Sequence, residues 1–196
     1  MLANRGKNPN LAAMRTGLTL AALLLTASTP AWAVVHHPPA AKPAAKAAAT
    51  PAAGKPAELG VFQDWTAAKG IEGGQAVCYA FTRASRSVPE IKGRGEVMLT
   101  IAERATARDA VSLSPGFAVA AKATLNVAVD QTALDFYAAG QSLFARDGHA
   151  AALAFQRGRE VTARLPGPGG RIVVDNFSLA GFSRAYEAIV KACPAK

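Results

Sequence analysis

The residues that could do chemistry are few. Between positions 59 and 196 there is one histidine, His149, with Asp147 two residues before it and Ser142 and Ser178 elsewhere in the same stretch. A serine, a histidine and an aspartate are the parts of a hydrolase in which imidazole takes the serine proton. The strained Gly-x-Ser-x-Gly elbow that presents such a serine is missing, and Asp147-Gly148-His149 reads instead as a turn leading into a helix. Two carboxylate pairs are candidates for acid–base work, Asp130 with Asp135 and Glu96 with Glu103. Neither spacing forces the two groups together, so each pair reads as the solvated ends of strands. One histidine and two cysteines are too few nitrogen and sulfur ligands for zinc, and the adjacent His36-His37 lacks spaced ligands, so no metal or cofactor is expected. Pro-Gly-Pro-Gly-Gly at 166–170 lacks the Lys and Ser/Thr of a phosphate loop and reads as a hairpin loop.

The positive residues are the remaining lead. Arg83, Arg86, Lys92 and Arg94 cluster around one loop, and Arg157, Arg159, Arg164 and Arg171 around an expected strand pair. Guanidinium suits bidentate contact with phosphate or carboxylate, so the first group is read as possible contacts for an anionic ligand. The chain's net charge of +9 overstates this character. From Leu59 onward there are 16 Lys and Arg against 12 Asp and Glu, an excess of only four. A nucleic-acid surface needs a denser basic stripe interleaved with aromatics, and none is expected here. Trp65 is a potential sugar platform but reads more readily as a cover for the core.

Residues 1–33 have the layout of a secretory signal peptide: Arg5, Lys7 and Arg15, then an apolar run from Gly17 to Ala27, then Ala31-Trp32-Ala33. The apolar run, about 11 residues, is short of the roughly 20 that span a bilayer. Residues 34–58 are almost wholly Ala, Pro and Lys, and read as a disordered tether. Residues 59–196 form the folded domain. Within it, period-two alternation marks half-buried strands at "EVMLTIAER", "ATLNVAVD", "AVCYAFTR", "AVSLS", "ALDFYA", "QSLFAR", "EVTARL" and "RIVVDNF". Two helices interrupt them, one after Asp147 as N-cap and one at the C-terminus whose apolar stripe is Phe182, Ala185, Tyr186, Ile189 and Cys193. Many short strands separated by turns predict a mainly β domain, an antiparallel sandwich or barrel.

The two cysteines stand 115 residues apart. In an exported chain a lone pair is most economically one disulfide, Cys78 to Cys193, pinning the terminal helix to an early strand. Buried free thiols and a redox pair are the alternatives, although no Cys-x-x-Cys is present.

The order "FQDWTAAKG", "AVCYAFTRASRSVP", "FQRGREVTARL" and "VDNFSLAGFSRAYEAIVKAC" resembles the invasion-associated locus B proteins of Gram-negative bacteria, over essentially all of 59–193. Many relatives carry a further cysteine a few residues after the tryptophan, where this chain has Lys69. The resemblance implies a periplasmic, outer-membrane-associated or secreted protein, connected with invasion of host cells and without an established catalytic set. The expected function is therefore a non-enzymatic envelope or surface module whose partner is an envelope component or a protein. The alternatives are a periplasmic hydrolase using His149 and a chaperone-like protein that binds other proteins.

Overall fold

The structure, a computed structural model, describes residues 55–195. The signal peptide at 1–33 and the tether up to residue 54, with His36 and His37, lie outside the described residues.

Among the described residues twelve strands form two antiparallel sheets. β1 (Ala57–Phe62), β2 (Trp65–Glu72), β3 (Gln75–Arg83), β5 (Met98–Arg104), β6 (Ala110–Ser114), β9 (Phe136–Ala139) and β10 (Ser142–Ala145) make a seven-stranded sheet in the order β1-β2-β3-β5-β6-β10-β9. β4 (Arg86–Val88), β7 (Asn126–Val129), β8 (Thr132–Leu134), β11 (Glu160–Pro166) and β12 (Ile172–Ser178) make a five-stranded sheet in the order β4-β12-β11-β7-β8. No ladder joins the two sheets among the described residues, so the architecture is a sandwich and not a closed barrel. β1 begins at Ala57, paired with Lys69, within the stretch read as tether.

Alternation explains the core. Leu99 and Ile101 of β5, Val111 and Leu113 of β6 and Leu143 of β10 share one core with Val127, Val129, Val161, Ala163, Leu165 and Phe177 of the other sheet, and all are buried. "ALDFYA", read as one strand, is two: β8 belongs to one sheet and β9 to the other, with the exposed Asp135 between them. Leu134, Phe136 and Ala138 keep one alternation through the crossing because both sheets face the same core. A break between sheets therefore leaves the sequence pattern intact.

α1 (Gly148–Arg157) begins at the expected N-cap, where Asp147 Oδ1 accepts from Ala150 N–H at 2.9 Å. α2 (Phe182–Ala192) buries Phe182, Ala185 and Ile189. Phe182 meets Trp65 edge-on at 4.9 Å and Phe155 at 5.3 Å, so α1, α2 and β2 share one aromatic cluster. Trp65 is fully buried and its indole donates to Ser178 O at 2.9 Å; it covers the core, as expected. Gly181 starts α2 with φ of 90°, and a Cβ there would lie 1.8 Å from Phe62 O. Only glycine fits both demands.

Cys193 caps the C-terminus of α2, just beyond its last turn, and is bonded to Cys78 with Cα atoms 5.9 Å apart. Cys78 lies between Lys69 of β2 and Glu103 of β5 in the register. The Lys69 ammonium donates to Ala192 O at 3.4 Å, and Arg108 Nη1 donates to Cys193 O at 2.6 Å. Two cations therefore meet the carbonyl end of α2, where the helix leaves partial negative charge.

Candidate functional site

The loop after β3 separates the four predicted anion contacts. Arg94 turns inward and is 6 % exposed. Its Nη1 and Nη2 donate to Asp175 Oδ1 at 2.9 Å and Oδ2 at 2.6 Å, its Nε donates to Pro115 O at 2.6 Å, and its guanidinium lies 4.9 Å over the Phe117 ring. Asp175 itself is fully buried on β12 and also accepts from Ser87 Oγ at 2.7 Å. Arg94 is therefore a structural cation, held by a bidentate partner 81 residues away, and it leaves the set of ligand contacts. The loop is clamped behind it by Gly95 N–H donating to Gly116 O at 3.1 Å. A Cβ on Gly116, whose φ is 72°, would lie 2.5 Å from Gly95 O.

Arg83 remains exposed but is paired with Glu96 at 3.0 Å. Arg86 and Lys92 are exposed, and neither has a carboxylate within 4.0 Å among the described residues. The register brings a residue of the second basic cluster to this place. Arg86 of β4 stands opposite Asn176 of β12, while Val174 of β12 stands opposite Arg164 of β11. Asp175 between them points into the core, so Arg86 and Arg164 both project from the outer face of the five-stranded sheet, roughly 12 Å apart by strand spacing. Arg164 is exposed and also lacks a carboxylate partner among the described residues. Asn176 holds one acid of this face, donating to Glu160 Oε1 at 2.6 Å. Beside Arg164 a hollow of about 290 Å³ is lined by Ala128, Ala133 and Thr162 and also by Asp130, whose carboxylate accepts from the Arg159 and Glu160 N–H groups. Two free guanidinium groups over small and polar side chains can each accept a phosphate or carboxylate in bidentate fashion.

The acids form a second constellation that the sequence reading missed. Glu103, read as a solvated strand end, is fully buried, on the same face of β5 as Leu99 and Ile101. Its Oε1 accepts from Asp109 N–H at 3.3 Å. Arg108 Nε lies 2.7 Å from Oε2 but does not aim its N–H at that oxygen, which is otherwise without a hydrogen bond. Burial, with the Asp109 side chain beside it, pushes the Glu103 carboxyl up to about 7, against the smaller pull of Arg108. Burial also pushes Asp109 up, but hydrogen bonds from Tyr186, His149 and Glu103 outweigh it and hold that carboxyl below its ordinary value. Tyr186 Oη donates to Asp109 Oδ1 at 2.5 Å, and burial beside these acids raises the phenol well above its usual range.

His149 projects from the start of α1 with its Nδ1 2.9 Å from Asp109 Oδ2 and its side chain 69 % exposed. Its acidic partner is therefore Asp109 and not Asp147, which is occupied as the N-cap. Ser178 Oγ accepts from Ala180 N–H, and no serine hydroxyl meets His149 among the described residues. The cluster ties the β5–β6 turn to α1 and α2. One signal was available: Glu103 continues the inward alternation of Leu99 and Ile101, and Arg108-Asp109 follows within one turn.

Glu103 makes stability depend on pH. Between its ordinary value of 4.5 and about 7 the folded protein keeps a proton that the unfolded chain has released. Stability falls as pH rises through this window, by on the order of 3 kcal/mol. Glu103→Gln, which mimics the protonated form, is expected to flatten the profile of melting temperature against pH between these limits. An unchanged slope would remove Glu103 as its source.

Fold and site together define a disulfide-pinned antiparallel β-sandwich with Arg86 and Arg164 on a sheet face that no element covers among the described residues, and a buried acid cluster against the C-terminal helix. No protein-family model matches the chain, and no curated protein does. Among solved structures the chain is similar to invasion associated protein b from Bartonella henselae, at 15% identity and a TM-score of 0.48, over 68% of this chain and 96% of that one. Among the described residues no helix is long and apolar enough to cross a membrane.

Proposed function

We propose that this chain is a non-enzymatic binding module of the bacterial cell envelope, which takes anionic groups on the outer face of its five-stranded sheet. The observation that carries this reading is the placement of Arg86 and Arg164, from two separate basic clusters, on one uncovered face without carboxylate partners among the described residues. Lys92 adds charge from the loop beside β4, and Arg83 contributes less because Glu96 already neutralises it. The ligand class is phosphate- or carboxylate-bearing envelope material such as lipopolysaccharide or acidic polysaccharide. The Cys78–Cys193 bond fits an oxidising compartment outside the cytoplasm.

The test is cosedimentation of the protein with outer-membrane vesicles across a salt series. Binding is expected to weaken as salt rises, and Arg86→Glu/Arg164→Glu is expected to abolish it with the melting temperature unchanged. His149→Ala should leave binding intact. Binding that ignores both salt and the charge reversal would refute the reading.

A further inference from the structure

The seven-stranded sheet also has an outer face that no element covers among the described residues, and its composition differs from that of the basic face. Phe81 of β3, Thr100 of β5, Ser112 of β6, Phe144 of β10 and Tyr137 of β9 stand opposite one another in successive ladders. They form one line across the strands, aromatic at both ends and hydroxylated between. Tyr79 flanks Phe81, with ring centroids 6.1 Å apart, and Tyr137 lies 5.8 Å from Phe144. The two aromatic pairs are thus walls about 14 Å apart by strand spacing. Between them Ala102 and Ala110 leave a hollow of about 300 Å³ with Thr100 and Ser112 on its floor, lined also by the mutually paired Arg104 and Glu72. Neither hydroxyl has a hydrogen-bond partner among the described residues.

Charge selects the occupant. The three arginines that border this face are each neutralised in place: Arg83 by Glu96 at 3.0 Å, Arg104 by Glu72 at 2.6 Å and Arg146 by Asp135 at 3.2 Å. Arg83 and Arg146 also lie over the Phe81 and Tyr137 rings, at 5.8 and 5.1 Å. An anionic ligand would have to break these pairs. A protein or lipid would want a continuous apolar patch, yet hydroxyls interrupt this one, and of the four rings only Tyr137, 39 % exposed, is open beyond a third. A sugar ring needs what is present: the Tyr79 and Phe144 rings, which line the hollow, for its C–H face, and uncommitted hydroxyls for its own. We infer that the outer face of the seven-stranded sheet is a docking surface for a neutral polysaccharide chain lying across the strands between the Tyr79/Phe81 and Tyr137/Phe144 walls. This site is separate from the anionic one and does not depend on it.

The experiment is an NMR titration of the full chain with two neutral probes, linear β-1,4-linked hexamers of glucose and of N-acetylglucosamine, at low and high salt. Shifts are expected at Tyr79, Phe81, Thr100, Ser112, Tyr137 and Phe144 with at least one probe, at an affinity that salt does not change. Tyr137→Ala should weaken binding about tenfold. Ser112→Arg, which leaves the rings in place and fills the floor, should abolish it. Arg86→Glu/Arg164→Glu should leave it untouched, which keeps this result distinct from the fate of the basic face. The inference is overturned by an absence of shifts at millimolar concentrations of both probes, or by shifts confined to other surfaces. Broadening of the same signals with protein concentration alone would also overturn it, because the occupant would then be a second copy.

Discussion

Replacing both cysteines, Cys78→Ala/Cys193→Ala, is expected to lower the melting temperature by on the order of 10 °C or more while leaving the strand content intact. The bond closes a loop of 115 residues, nearly the whole domain. Loop-closure entropy puts an upper figure of about 4–5 kcal/mol on so long a loop. For a domain of this size each kcal/mol moves the midpoint by roughly 3 °C. The bond also holds the end of α2 against β3, where Lys69 and Arg108 meet its last carbonyls, so its loss should first free that end of the helix. Hydrogen exchange localises this: residues 186–193 should lose protection ahead of the sheets. Two alkylatable thiols in native protein purified from an oxidising compartment, or a melting point unmoved by the replacement, would show that the bond does not stabilise the fold.

Arg94→Ala is the other large effect. Asp175 has no exposure, and removing the guanidinium leaves its carboxylate in the core with the Ser87 hydroxyl as its one remaining side-chain partner among the described residues. Breaking a buried pair by deleting one member costs about 3–5 kcal/mol, because the charge left behind has lost both water and partner. The double replacement Arg94→Met/Asp175→Leu removes both charges at comparable volume and should recover most of that loss. Chemical denaturation of Arg94→Met, Asp175→Leu and the double variant completes the cycle; equal losses for Arg94→Met and the double variant would mean that the ion pair is not what holds the loop. The same result bears on function. Arg94→Ala would also loosen the loop that carries Lys92 and follows β4, so lost envelope binding in that variant would report folding and not contact. Arg86 and Arg164 are the positions at which binding can be tested without that confusion.

The two arginines show where sequence reasoning reaches its limit. Arg86 and Arg94 lie in one turn-rich stretch, "RSVPEIKGRG", that has no period, and nothing local tells which of them faces inward. The decision belongs to Asp175, distant in the chain, which β12 presents to the core and which Arg94 reaches. The acid cluster shows the same limit differently. Glu103 continues the apolar alternation of β5, but whether a carboxyl at such a position is buried depends on Arg108, Asp109 and Tyr186 being assembled around it. His149 was visible as the domain's one histidine, whereas its partner comes from a turn 40 residues away and not from the aspartate two residues before it.

What the residues determined by themselves is what depends on near neighbours: the alternation of β3, β5, β6, β7 and β10 to β12, the Asp147 cap of α1, and the apolar stripe of α2 that carries Phe182, Ala185 and Ile189 inward. The pairing of the two cysteines was also legible, because a chain with only two has one way to join them. Tertiary structure alone decided the order of strands in each sheet, the crossing at Asp135, and the union of Arg86 with Arg164 on one face and of Phe81, Phe144 and Tyr137 on the other. The physical reason is common to all of these. Period two says which side of its strand a residue occupies, but every strand has the same two sides. Only long-range hydrogen-bonded register decides which strands are neighbours and which side chains form one surface.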